Sequence, residues 1–443
     1  MKKIVMFIAG VVASTAFVPE AFALPVFSRQ VGRACSACHF QHFPLLNSFG
    51  RDFKASGYTV MGSQGKIKDD HLSIPNTLNL GVLTTTRYDS ISHSAGAVLP
   101  NGKWNVPGSG GELSIFFGGR ISDFAGFLSE LTMGGAATVG SAKLAMLFPV
   151  GDYRIGPVIF TNSGQGVAHS FELLNTGAAN THKVSAYGGG PFSGSNGGGT
   201  AGNHVAVTSA AQFFGTNTAA TGISLVAVNT NMGFVNIAKY EAAAAGTAGA
   251  GSLPLTYVRV AGLFGVGSWD LGVGLQNWSG SSMMDPGGLV VLPAAMDYKA
   301  TVIDAQLQGE LAGMPAGLYA SYGRAPATTL GNAFNSVVPG ATSAATSFNI
   351  AAELGVIPRG TIVLALRSAK VGGSATITGV NDNAVMIGAT YELAQNVELS
   401  LTHTSNSGSA WDGTATAAHT SLFGTPMTPN GKNETNFMLE ALF

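Results

Sequence analysis

From Trp269 onward apolar and polar side chains alternate one by one: Trp269, Leu271, Val273 and Leu275 are separated by Asp270, Gly272, Gly274 and Gln276. A period of two puts the two sets on opposite faces of an extended strand, whereas a helix would scatter them around its circumference. The pattern returns where Ile303, Ala305, Leu307 and Leu311 alternate with Asp304, Gln306, Gln308 and Glu310, and again where Val397, Leu399 and Leu401 alternate with Glu398, Ser400 and Thr402. Leu78, Leu80 and Val82 open a further run that reaches Tyr88, opposite Asn79, Gly81, Thr85 and Arg87. Gln395-Asn396 lies between a strand ending near Leu393 and one starting at Val397, which predicts a tight hairpin. Phe437, Leu439, Ala441 and Phe443 share one face of a last strand.

Between these runs lie stretches rich in Gly, Ala, Ser and Thr, which read as long loops: Tyr187 to Asn203, Ala242 to Ser252, Ala325 to Ser347 and Thr404 to Thr420. Only 10% of the 443 residues are charged, against about 25% in ordinary soluble domains, while hydrophobic content is an average 46% and glycine contributes 61 residues. Apolar residues spread by alternation, few charges and much glycine describe a transmembrane β-barrel, with one face of each strand toward lipid and a polar face toward the lumen. Dividing the span after about Ile74 by roughly 22 residues per strand and connection predicts an all-β, outer-membrane barrel of about 16 antiparallel strands. The final strand resembles the closing strand of bacterial outer-membrane barrels. A soluble β-sandwich or β-solenoid also alternates, but its wet face usually carries more charge.

The first residues predict export. Lys2 and Lys3 precede an apolar run from Ile4 to Val18, and Ala21-Phe22-Ala23 has the small-x-small form of a cleavage site, so residues 1–23 read as a signal peptide. The apolar run falls short of the about 20 residues a spanning helix needs. Just behind it, Cys35-Ser36-Ala37-Cys38-His39 has the C-x-x-C-H spacing that attaches a c-type haem: each thiol adds to one vinyl group and the histidine reaches the iron. These are the only two cysteines, so the alternatives are a simple disulfide or a zinc site completed by distant histidines. The expected organisation is therefore a signal peptide at 1–23, a monohaem c-type segment at 24–72 and a porin-like barrel at 73–443. A segment under 50 residues rarely builds its own core. We therefore expect it to plug the lumen at the periplasmic mouth, leaning on the barrel wall.

The stretch from Leu24 to Gly32, the haem motif, Pro44 to Lys54 and Gly57-Tyr58 together resemble the amino-terminal cytochrome of the fused cytochrome-porin iron oxidases of the outer membrane. The similarity covers residues 24 to about 62, with a further echo at Phe171-Glu172-Leu173-Leu174-Asn175-Thr176-Gly177. Where many members of that family carry a small polar residue after the haem histidine, this chain has Phe40-Gln41-His42-Phe43. The resemblance implies one covalently bound haem c, ferrous iron oxidised at the cell surface, and an electron passed to a periplasmic c-type cytochrome, with outer-membrane lipid around the barrel. Two other readings stay open: electron transfer outward or from another external donor, and a solute porin with a structural haem plug.

Residue by residue, Cys35 and Cys38 hold the porphyrin and His39 is the proximal iron ligand. His42, three residues beyond His39, would share its face of a helix, which makes it a supporting or surface residue rather than the distal ligand. Met61 is the candidate distal ligand, since a thioether raises the potential, with His71, an open position or a barrel residue as alternatives. Arg51 or Arg33 would hold a haem propionate by paired donors. The alternative use of the basic residues Arg29, Arg33, Arg51, Lys54, Lys66 and Lys68 is pairing with lumen carboxylates such as Asp270, Asp304 or Glu310. Loop histidines such as His93, His182, His204 and His419 are candidates for transient iron binding, each more often an ordinary polar residue. Twenty-two basic against 23 acidic residues, with no phosphate-cradling loop or nucleic-acid motif, give no reason to expect nucleic acid.

Overall fold

The computed structural model describes residues 25–70, 72–91, 102–134, 136–177, 209–247, 252–284, 291–335, 342–370, 372–373, 381–409 and 433–443. The expected signal sequence at 1–23, His71, His93, His182, His204, His419 and the stretch from Tyr187 to Asn203 lie outside the described residues. Sixteen antiparallel strands form a closed barrel that begins with Asn79–Ile91 and ends with Asn433–Leu442. These two strands pair with each other, Met438 opposite Arg87, so no edge is left unpaired in hydrocarbon. The barrel is all-β and of the bacterial outer-membrane type. Among the described residues no helix is long and apolar enough to cross a membrane.

Alternation drives each strand to its place. On Gly360–Lys370, Ile362, Leu364 and Leu366 are 47%, 52% and 43% exposed toward the bilayer, while Val363, Ala365 and Arg367 face inward and are buried. Trp269–Ser279, Ala300–Leu311 and Val397–Ser407 obey the alternation expected of them, with Val273, Leu275, Ile303 and Leu401 outward and Gln276, Asp304, Gln306 and Ser400 inward. Two-residue turns join many strands at one end. Ala312 and Gly313 take positive φ values of 52° and 77° between Leu311 and Met314, and Asn396 takes 69° in the expected turn between Ala394 and Val397. Long connections gather at the other end, which sets the short turns toward the periplasm.

Three expected boundaries move. The first strand begins at Asn79, leaving Leu78 exposed before it. The loops expected at Ala325 to Ser347 and Thr404 to Thr420 give up their ends to strands: Ala345–Ile357 includes Ala345 and Ser347, and Val397–Ser407 runs three residues past Thr404. In both cases the inward residues Ser347, Thr404 and Asn406 are small or polar and the strand has passed beyond the apolar band, so the hydrophobic half of the alternation fades while pairing continues. Of Ala242 to Ser252, the described start is a turn whose Ala242 and Ala243 are fully buried.

The amino-terminal segment lies inside the short-turn mouth. It comprises the helix Pro25–Val31, a 3-10 turn at Cys35–Ala37, the helix Ser48–Ala55 and an exposed hairpin of Lys66–Asp69 with Leu72–Pro75, which spans the expected junction at residue 72. Gln30 fixes the first helix to the wall by accepting from the Arg120 backbone N–H at 3.0 Å, while the Arg120 guanidinium returns a hydrogen bond to the Thr59 carbonyl at 3.1 Å. A second filler enters from the wall. The connection after Tyr153–Asn162 turns inward, and its described parts, 163–177 and 209–219, pack within the barrel before Ala220–Asn229 resumes the sheet.

The lumen was expected to be polar; much of it is apolar. Val31, Phe53 and Tyr58 of the plug pack with Phe171, Leu173 and Leu174 of the inward connection and with Leu147, Val226 and Leu263 of the wall. Phe213 and Phe214 pack with Tyr257, Trp278, Tyr298 and Phe334. A lumen filled by protein is a dry core, so inward positions facing the fillers take apolar side chains as in a soluble domain.

A positive charge on the lipid face should be costly where the strand is deep. Ile387, 63% exposed at the centre of Asn381–Ala394, tests this: Ile387→Lys should reduce the stability of the barrel folded into liposomes by about 2–4 kcal/mol, and Ile387→Leu should leave it near the native value.

Candidate functional site

The 3-10 turn gathers the motif. Cys38 N–H and His39 N–H both donate to the Cys35 carbonyl, at 3.0 and 2.9 Å, so the two sulfurs and the imidazole leave one tight turn of backbone. Asn47 then serves twice. Its side-chain amide donates to the Ala37 carbonyl at 3.0 Å, and its oxygen caps the helix Ser48–Ala55 by accepting from Gly50 N–H at 2.9 Å. That helix presses on the motif through Gly50, where a Cβ would come within 2.2 Å of the Cys38 carbonyl oxygen, so only glycine permits the approach.

Both cysteines are half-buried. Burial first, and the neighbouring Cys35 second, push the Cys38 thiol up to about 11, so it is not a thiolate at neutral pH. That is the opposite of a reactive redox pair, whose thiols are depressed. Among the described residues no group of three or more His, Cys, Asp or Glu converges to hold a metal ion, which leaves the zinc alternative without ligands there.

His39 is held as a neutral imidazole. Its Nδ1 lies 3.2 Å from the Leu45 carbonyl, and its ring meets Phe43 edge-on at 5.1 Å between centroids. Burial lowers its pKa to about 4 against the opposing pull of the Leu45 and Pro44 carbonyls, with the charge of His42 adding to the lowering. With Nδ1–H assigned to the carbonyl, the lone pair falls on Nε2, the tautomer that iron ligation requires. Two thiols and this imidazole on one turn are the donor set a covalent haem needs, and they fit it.

His42 does different work. It is buried, not on the surface as one sequence reading allowed, and its Nε2 lies 2.7 Å from Glu353 on the barrel wall. Burial alone would lower its pKa; the carboxylates of Glu353 and then Glu398 outweigh that and raise it to about 9. Gln41 beside it donates to the Pro315 and Glu353 carbonyls at 3.0 and 3.2 Å. Arg51 donates to Asp270 and, at 3.3 Å, to Gln308, so its guanidinium is spent on the wall, the second of the two uses open to it. Arg29 donates to the Leu80 carbonyl, while Arg33, Lys66 and Lys68 are exposed. Asp304 joins Glu172 in holding the fully buried Arg259, and Glu310 is exposed at the short-turn end. Met61 sits on a stretch running back along the first helix, where Gly62 N–H donates to the Gln30 carbonyl and Gln30 Nε2 to the Val60 carbonyl.

Sequence reasoning missed Glu353, Asn396 and Asn175 as neighbours of the motif. Cys35 Sγ lies 3.4 Å from Asn396 Oδ1 in the tight turn, and Asn175 exchanges hydrogen bonds with the Leu46 backbone at 2.8 and 3.1 Å. A signal for the last existed. Phe171-Glu172-Leu173-Leu174-Asn175-Thr176 resembles Phe43-Pro44-Leu45-Leu46-Asn47-Ser48 of the plug, and the two stretches meet through that exchange.

The His42–Glu353 pair makes plug docking dependent on pH. Because the folded pKa of His42 lies above its ordinary value of 6.5, the stabilisation is complete below about 6.5 and disappears as pH rises through about 9. Proteolytic cleavage around Gln41 should therefore accelerate between pH 7 and 9.5. Glu353→Gln should remove that pH dependence and weaken docking by about 3–5 kcal/mol.

No protein-family profile matches the chain, and no curated protein sequence does. Solved structures with a similar fold include the outer membrane channel DcaP of Acinetobacter baumannii, with TM-score 0.48, 10% identity, 86% of this chain and 100% of that one covered. In-vitro folded OmpT of Vibrio cholerae gives 0.45, 9%, 85% and 99%, and an anion-selective porin from Comamonas acidovorans gives 0.44, 11%, 83% and 99%.

Proposed function

We propose that this outer-membrane barrel carries electrons rather than solutes, through one haem c fixed to Cys35 and Cys38 and ligated by His39. The observation that supports it most is the state of His39: a neutral ring, held by a carbonyl at Nδ1, on the same turn of backbone as Cys35 and Cys38. A haem c bound there supplies a one-electron couple at the periplasmic mouth. The chain's own residues do the rest. His42, Gln41 and Arg51 pin the motif to the wall, and Asn175 closes on it from the inward connection.

The preferred substrate is extracellular Fe(II), with a periplasmic c-type cytochrome as the acceptor. Ferric products precipitate near neutral pH, so importing the electron alone keeps the precipitate outside. A thioether such as Met61, were it to hold the iron opposite His39, would suit that direction by raising the potential. A solute porin needs a watery lane past the plug, and Arg259, Gln276, Asp304, Gln306 and Gln308, which would line it on one side, are all buried. That burial favours electron passage over solute passage.

The test reconstitutes the full chain in liposomes that enclose an electron acceptor. Native protein should show haem absorbance that persists after denaturation, and Fe(II) added outside should reduce it promptly. His39→Ala should abolish that reduction, and Cys35→Ser with Cys38→Ser should lose the covalent pigment. Native protein without pigment, or pigment that external Fe(II) leaves oxidised, would overturn the reading.

A further inference from the structure

Behind the plug, three nitrogen-bearing side chains meet without enough partners. Lys143, on the wall strand Ala136–Met146, is 3% exposed and donates to the His169 carbonyl at 2.8 Å. Its ammonium has no other hydrogen bond or ion pair among the described residues, and the nearest ring, Tyr58, has its centroid 6.0 Å away. Lys54, on the plug helix, acts electrostatically on Lys143, and its side chain has no hydrogen bond or ion pair among the described residues. His169, on the inward connection, is under the influence of both lysines, and its Nε2 is buried with no hydrogen-bond partner.

Local charge does not balance. The nearby carboxylates are Glu172 and Asp304, and both are engaged by Arg259 at 2.9 and 2.5 Å. Charging Arg259, Lys54 and Lys143 together would thus set three cations against two carboxylates. Glu130, the next acid along the wall, spends its oxygens on Ser114, Thr132, Ser141 and Gln165. Burying a second ammonium beside a first, with no further counter-charge, is expensive in a dry core.

We propose that Lys54, Lys143 and His169 form a binding site for a small oxyanion, a carboxylate or phosphate group, at the junction of plug, wall and inward connection. Each element supplies one group, so the bound anion ties all three together. Both lysines offer spare N–H donors, and His169 can offer Nε2–H. Burial lowers the Lys54 pKa to about 8, with Glu172 opposing, so this ammonium still carries its charge at neutral pH. The anion has two sources. One is a haem propionate, reached through Lys54, which lies one helical turn beyond the Gly50 that presses on Cys38; this source rests on the haem reading above. The other is a free solute anion, which does not.

The test uses the full chain in detergent, as pigmented protein and as the Cys35→Ser, Cys38→Ser variant, with inorganic phosphate as probe in calorimetric titration. If a propionate occupies the site, only the variant binds phosphate, and in pigmented protein Lys143→Met shifts the propionate bands of the resonance Raman spectrum. If a solute anion occupies it, both forms bind phosphate. In either case Lys143→Met should weaken phosphate binding at least about tenfold, and Lys143→Arg should restore it. Lys54→Met provides a second loss should Lys143→Met fold poorly. Loss of pigment would sink the haem reading yet leave the phosphate titration decisive. The site is overturned if neither form binds phosphate; a rise in the thermal midpoint of Lys143→Met, as relief of an uncompensated charge would give, would overturn it as well.

Discussion

A closed sheet of sixteen strands encloses more space than its own side chains can fill. Eight strands give an interior that inward residues just occupy; at sixteen the centre is empty unless something enters it. That constraint organises the rest of this molecule. The amino-terminal segment enters from the short-turn side and the connection after Asn162 enters through the wall, and the two meet through Phe53, Leu173 and Leu174. Inward wall positions then split into two kinds, apolar where they meet a filler and polar or charged where they hold one.

The charged contacts are unequal in purpose. Arg259 with Glu172 and Asp304 fixes the inward connection to the wall, and His42 with Glu353 and Arg51 with Asp270 fix the plug. Pairs like these are seldom net stabilisers against an apolar core of the same shape, because desolvation consumes most of the attraction. What they supply is a single geometry. An apolar plug would pack in many rotations within a wide barrel; paired charges at several points on its circumference allow one. The C-x-x-C-H turn inherits its position from that registry.

Strand alternation made the barrel legible because lipid outside and a filled or polar lumen inside impose opposite demands on successive residues. The runs at Trp269, Ile303 and Val397 carried that contrast fully. It weakened at Thr404 to Ser407 and at Ala345, where neither face is in hydrocarbon, and there the strand ends were misjudged. The C-x-x-C-H motif stands out in the sequence because it needs only adjacent residues, and the haem it would hold remains a proposal. Glu353 and Asn396 do not stand out, since each is one polar inward residue or turn residue among many. Only the three-dimensional closure, across 311 and 361 positions of sequence, brings them to His42 and Cys35. Asn175 differed, because the stretch around it repeats the plug's own Leu-Leu-Asn sequence and so carried a local mark.

The contact between Cys35 and Asn396 has a consequence for timing. Encounters between residues so far apart in the chain form late, after the nearby hairpins, because their loop must close first. Until the turn at Asn396 arrives, the cysteines remain open on a short leading segment; afterwards the wall covers them. If the proposed haem is attached to these thiols, its access to Cys35 is therefore easier before the wall closes than after.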